Sequence, residues 1–312
     1  MTARASLPGR LPPAAMYPAG RSDVAARFVT LRSGLRVRLL EAGPAHGEPV
    51  FFVHGWGCSV YSFRRNYAAL AAAGYRVASA DLKGHGLSDK PLDPAAYTAE
   101  AMARHVLEIM DALALPTAAL VGHSMGGAIA VRVALEAPER VSRLGLLAPI
   151  GFGAVRLLWL AKLLTLSAVT PVLPHLARRW CAAVLLREAY GGIGTVERRD
   201  VDEYWAPTQF PEFTRAMREL LHAFNWASSE REVLGRVAHP TLVMFGTHDR
   251  YVRPTALADV VGSLPNGRLE VVWGGGHVIP EEAPDQVNAA LLGHLANRRR
   301  ATPDVVLRVR KA

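Results

Sequence analysis

The 312-residue chain carries only two cysteines, Cys58 and Cys181, too few for a disulfide framework, and so reads as a reduced, cytoplasmic protein. Nor is there an apolar run fit to span a bilayer. The most apolar stretch, 154–173, is interrupted by Arg156, Lys162 and Pro171, and a charge at the centre of a span costs roughly 3 kcal/mol. The segment from Met1 to Arg21 lacks an apolar core followed by a small-residue cleavage site, so no secretory signal is expected. Zinc-finger spacing, a basic helix and an aromatic strand motif are all missing, which argues against nucleic-acid recognition. No metal-ligand set has sensible spacing and no glycine-rich phosphate loop follows the first parallel strand, so neither a metal nor a cofactor is expected. The 36 basic residues exceed the 27 acidic ones, a net charge of +9. That surplus reads as a solvated basic surface, and it leaves peripheral contact with the inner, anionic face of a membrane open.

What is present is a strand-and-helix rhythm. Two alternating segments, 27–31 and 35–40, flank Ser33-Gly34 and predict an antiparallel hairpin at a sheet edge. Short apolar runs follow, VFFV from Val50, RVASA from Arg76, TAALV from Thr117 and LGLLA from Leu144, separated by helical stretches. Buried parallel strands joined by crossover helices have this pattern, which predicts an α/β fold with a mostly parallel central sheet flanked by helices. In the stretch 98–113, Met102, Val106, Ile109 and Leu113 fall on one helical face. The rhythm stops over 150–237, which is helical, aromatic and rich in leucine, and resumes with TLVMF at Thr241 and LEVVW at Leu269. The economical division is an N-terminal extension at 1–24, a core of 25–149 and 238–297, a helical cap inserted at 150–237, and a basic tail at 298–312.

The strongest local signal is Gly122-His123-Ser124-Met125-Gly126-Gly127, directly after one apolar run and directly before a helix-compatible segment. A serine between strand and helix sits on a sharp turn, where flanking glycines avoid clashes and the hydroxyl is pushed out. Other motifs follow strands in order: His54-Gly55-Trp56-Gly57, the run from Asp81 to Asp89 (DLKGHGLSD), Gly246-Thr247-His248-Asp249 and Gly276-His277. From about Phe28 to Ala296 the chain resembles the α/β-hydrolase superfamily, in particular serine esterase- or lipase-like members with a helical cap.

A serine hydroxyl needs a base, and the base needs a partner that fixes its tautomer. His277 follows its strand through Gly274-Gly275-Gly276, and Asp249 follows the preceding strand, giving the order Ser124, Asp249, His277 that the resemblance implies. Some similar proteins place the acid after the strand before the cap; here that position reads Ala148-Pro149-Ile150, without a carboxylate. By resemblance the backbone amides of Trp56 and Met125 form the oxyanion hole. A substrate pocket is expected to draw on His54, Gly55, Val252 and Val278 from the core, and on Phe152, Trp159, Trp205 and Phe210 from the cap. A serine nucleophile disfavours the epoxide-hydrolase and dehalogenase chemistries of similar proteins, which use aspartate. The expectation is a hydrolase of a small, hydrophobic carboxylic ester acting through an acyl-enzyme. Thioester or carbon-carbon bond hydrolysis on the same triad, and a ligand-binding receptor that keeps the fold, are the alternatives.

Overall fold

In the computed structural model the described residues are 9–151, 158–165, 177–226, 231–252 and 261–297. Eight strands, β1 (Ala25–Thr30), β2 (Arg36–Ala42), β3 (Pro49–Val53), β4 (Arg76–Ala80), β5 (Ala118–His123), β6 (Val141–Leu147), β7 (Thr241–Gly246) and β8 (Gly267–Val272), form one sheet in the order β1-β2-β4-β3-β5-β6-β7-β8. β2 runs antiparallel to both neighbours, and the other pairs are parallel. The β1–β2 hairpin turns where expected, with Gly34 at φ +83° and the Leu31 amide bonded to the Leu35 carbonyl at 2.8 Å. LEVVW ends one residue early as a strand: Trp273 lies beyond β8 and is 54% exposed.

The alternation of side chains across the strands builds two apolar layers. Phe51 and Val53 face one layer with α2 (Ala99–Ala112) and α3 (Met125–Glu136), while Val50 and Phe52 face the other with α1 (Tyr67–Ala72) and α10 (Pro284–Ala296). Covered on both faces, β5 is buried at all six positions, which is why its residues from Ala118 to Val121 form an unbroken apolar run rather than alternating. Met102, Val106 and Ile109 of α2 are fully buried, and the helix starts at Thr98, whose hydroxyl accepts the Ala101 amide at 3.2 Å.

Between β6 and β7 the regular elements among the described residues are helices: α4 (Leu158–Leu164), α5 (Arg179–Ala189), α6 (Arg198–Trp205), α7 (Pro211–Ala223) and α8 (Arg231–Leu234), with a 3-10 turn at Ala206–Gln209. A short α9 (Ile279–Glu282) precedes α10. Among the described residues no helix is long and apolar enough to cross a membrane. Residues 9–24 pack against the rest of the molecule, with Met16, Tyr17 and Val24 buried. The tail at 298–312 and Phe152 lie outside the described residues.

Candidate active site

Because β3, β5, β6, β7 and β8 are parallel, the loops that leave them open at one edge of the sheet, the carboxyl edge. The loop after β3 carries His54 to Gly57, that after β5 carries Ser124, that after β7 carries Asp249, and that after β8 carries His277.

Ser124 occupies φ +54°, ψ −121°, a conformation that costs a side chain about 1–3 kcal/mol. The surrounding backbone over-determines it. The Ser124 amide is bonded to the Leu147 carbonyl, and the Ser124 carbonyl accepts from Gly127 and Ile150. A Cβ on Gly122 would lie 2.3 Å from the Gly126 carbonyl oxygen, and one on Gly126 would lie 2.0 Å from that of Val53, so the glycines let β5, α3 and β3 meet backbone to backbone.

The Ser124 Oγ is 2.8 Å from His277 Nε2, and His277 Nδ1 is 2.8 Å from Asp249 Oδ2. An ionised carboxylate only accepts, so Nδ1 carries the proton and Nε2 offers its lone pair to the serine hydroxyl. The other oxygen of Asp249 accepts the amides of Tyr251 at 2.8 Å and Val252 at 3.0 Å. Burial pushes the Asp249 carboxyl upward, but the charge and hydrogen bond of His277 and the two amides outweigh it and hold the group below its ordinary range. On the serine side, no acceptor among the described residues takes the backbone amide of Trp56 or Met125. A Cβ on Gly55 would lie 3.0 Å from that of Ser124, so this glycine keeps the β3 loop close to the elbow.

Other expected pocket residues have different surroundings. His54 departs from the expectation of a pocket residue: Nδ1 donates to the Gly55 carbonyl at 2.9 Å and Nε2 accepts the Leu82 amide at 3.0 Å, so both ring nitrogens are committed to holding the β3 and β4 loops. The Trp205 indole is bonded to the Ala177 carbonyl at 2.8 Å and lies under the Arg10 guanidinium, turned to the N-terminal segment. Phe210 lies beneath Lys90. Val278 packs with Leu186 and Tyr190 of the α5 region, and Val252 is buried, its amide on Asp249. Trp159 belongs to α4.

Two residues outside the expected site contact the His277 loop. His123, which reads in sequence as filling space in the elbow, donates Nε2–H to the His277 carbonyl at 2.9 Å. Burial, then the neighbouring His277, lowers its pKa to about 3, so it stays neutral. Glu282 accepts the Gly276 amide at 2.7 Å. The DLKGHGLSD run is a structural knot: Asp81 accepts from Arg38 and Leu87 at 2.7 Å and from Val60 at 3.0 Å.

A family model for the alpha/beta hydrolase fold matches residues 48–188. The 2-hydroxy-6-oxo-6-phenylhexa-2,4-dienoate hydrolase of Burkholderia cepacia is 32% identical over 283 residues, covering 87% of this chain and 96% of that protein. The chain belongs to the α/β-hydrolase family. This hydrolase is also 31% identical over 283 residues to the dihydrolipoyllysine-residue acetyltransferase component of the acetoin cleaving system of Cupriavidus necator, covering 89% of this chain and 71% of the relative. In fold it resembles a carboxylesterase from Bacillus subtilis, with a TM-score of 0.74 at 22% identity over 88% of this chain and 93% of that one.

Proposed function

We propose that this hydrolase cleaves a hydrophobic carboxylic ester through an acyl-enzyme on Ser124. The observation that carries the reading is the unbroken run of hydrogen bonds from Ser124 Oγ through His277 to Asp249, 2.8 Å at each step. His277 Nε2 takes the hydroxyl proton as Oγ attacks the carbonyl, and Asp249 stabilises the imidazolium. The oxyanion settles on the amides of Trp56 and Met125, the latter at the N-terminus of α3, where the helix dipole adds to the attraction. The imidazolium then protonates the leaving alkoxide, and water attacks the acyl-enzyme by the same route.

In this reading residues 150–237 form a cap that selects the acyl group. The indole Nε1 of Trp56 donates to the Met217 carbonyl of α7 at 3.1 Å, and its ring meets Trp226 edge to face at 6.1 Å, so the oxyanion loop and the cap are tied directly. Trp180 and Leu185 of α5 and Leu163 and Leu164 of α4 are each more than half exposed beside Lys162, Arg178 and Arg187. That combination supports peripheral contact with an anionic bilayer, which vesicle sedimentation tests. Both cysteines remain thiols, in keeping with the cytoplasm.

Carbon-carbon hydrolysis is the second reading, favoured by the identity with the dienoate hydrolase. Thioester hydrolysis is the third. A fluorophosphonate should label wild-type protein at Ser124, and Ser124→Ala should abolish both labelling and ester turnover. Labelling that persists in the folded alanine variant would remove Ser124 from the chemistry. Faster turnover of a vinylogous diketone or a thioester than of any p-nitrophenyl ester would reassign the substrate class, and tight binding with negligible turnover would point to a receptor.

A further inference from the structure

Glu282 is a buried carboxylate five residues beyond His277, and its hydrogen-bond partners are backbone amides from two different loops. Oε2 accepts from Gly276, the residue before the base, at 2.7 Å. Oε1 accepts from Gly191 and Gly192 at 2.8 Å each, Ile193 at 3.1 Å and Gly194 at 3.4 Å, all in the loop that follows α5. Successive amides wrapped on one anion form a nest, and charge-assisted bonds of this kind are about twice as strong as neutral ones.

The two loops also meet directly. The His277 amide donates to the Ala189 carbonyl at 2.7 Å, and His248, next to the acid, donates its amide to Gly275 at 2.8 Å. The glycines are required by this contact: a Cβ on Gly191 would lie 2.2 Å from the Gly274 carbonyl oxygen, and one on Gly276 would lie 2.3 Å from that of Ala189.

We infer that Glu282 is a positioning residue that clasps the loop after α5 to the His277 loop and so fixes the imidazole between Ser124 and Asp249. The inference rests on the triad reading given above. An amide at this position presents N–H groups to an N–H donor on one side or the other, so Glu282→Gln must break either the Gly276 contact or the nest. Gly194→Ala attacks the same clasp from outside, because its Cβ would sit 2.8 Å from Glu282 Cγ. Neither change touches the space beside Ser124.

The test is the rate constant for fluorophosphonate labelling of Ser124 together with kcat and KM for one p-nitrophenyl ester, each with a melting curve. Glu282→Gln should lower kcat and the labelling rate together by at least about tenfold while KM stays within about threefold, since only placement of the base is lost. Gly194→Ala should move both rates in the same direction, and it decides the matter if Glu282→Gln fails to fold. A folded variant with unchanged kcat and labelling rate, or with KM alone altered, overturns the clasp while labelling of wild-type Ser124 leaves the triad standing. Wild-type protein that is not labelled overturns both.

Discussion

Asparagine at position 249 is the sharpest perturbation the geometry offers. The side chain is held at both ends: Oδ1 accepts the amides of Tyr251 and Val252, and Oδ2 faces His277 Nδ1 at 2.8 Å. In Asp249→Asn the carbonyl oxygen must stay on the two backbone amides, because an NH2 group there would face two donors. The NH2 group is therefore turned toward His277. The imidazole can accept that bond only by moving its proton from Nδ1 to Nε2, which leaves no lone pair for the Ser124 hydroxyl. Triads of this type lose about 10⁴ in kcat on the same change, equivalent to about 5.4 kcal/mol at 1.36 kcal/mol per decade. Since the Oδ1 contacts and the packing are kept, KM should move little. We expect kcat for a p-nitrophenyl ester to fall by about three to four decades, somewhat less than for His277→Ala, with the melting transition still cooperative. Near wild-type kcat in a folded Asp249→Asn protein would refute the reasoning and send the search for the acid to Asp200, Asp202 and Glu203. Of these, Asp200 is held by Tyr61 and Arg64, and Glu203 by the Tyr17 amide and Arg199.

Acid should destabilise the fold well above the carboxylate range. Burial lowers His123 to about 3, and burial with Arg143 and Arg268 lowers His294 to about 4. Unfolded histidine titrates near 6.5, so the unfolded chain takes up protons first; stability is full above about pH 6.5 and falls as pH drops toward the folded values. At pH 5 each group should subtract about 2 kcal/mol from the unfolding free energy measured in urea at pH 8, and a flat profile between the two would count against their burial as neutral rings. In the substrate dimension, a chain-length series of p-nitrophenyl esters should show kcat/KM rising up to about fourfold per methylene until the pocket fills, from about 0.8 kcal/mol each. A steady preference for acetate over every longer ester would exclude a long apolar acyl pocket.

The central strands, such as β5, were legible because they are covered on both faces and so read as short apolar runs, and α2 because its buried stripe sits at helical spacing. Ser124, Asp249 and His277 could be singled out for a local reason: each follows a strand, and parallel strands deliver their following loops to one edge. Glu282 and His123 were not singled out, because what they bond is backbone. A carboxylate that satisfies five amides has no partner type to search for in a sequence. The glycines Gly191, Gly192 and Gly194 were the available signal, since three in four residues outside a strand turn mark a place where backbone approaches something closely. Trp205 misled for the opposite reason: an aromatic between helices reads as pocket material, and nothing in its neighbourhood shows that a segment nearly 200 residues upstream covers it.

That upstream segment changes how the helices between β6 and β7 are attached. Arg10 bonds Thr208 at 2.9 Å, Gln209 bonds the Leu11 carbonyl at 2.9 Å, and the Tyr17 amide bonds Glu203 at 2.7 Å. Arg38 of β2, itself paired with Asp81, holds the Tyr17 carbonyl at 2.9 Å, so residues 9–24 form a strap from the sheet to α6 and the 3-10 turn Ala206–Gln209 that follows it. A second joint lies beneath it, where Arg64 pairs with both Asp200 of α6 and Glu281 of α9. Burial pushes the Glu281 carboxyl upward against the pull of Arg64. Buried ion pairs of this kind add little net stability, because desolvation offsets the attraction, yet removing one partner costs about 3–5 kcal/mol. Their consequence is geometric. Glu281 and Glu282 are consecutive, both within five residues of His277; one ties α9 to α6 and the other ties the His277 loop to the loop after α5. In the proposed reading the position of the base is thus set by the same side chains that tie α6 and the loop after α5 to the core, and a shift of those elements is felt at His277 before it is felt at Ser124, whose amide and carbonyl are bonded to Leu147, Gly127 and Ile150.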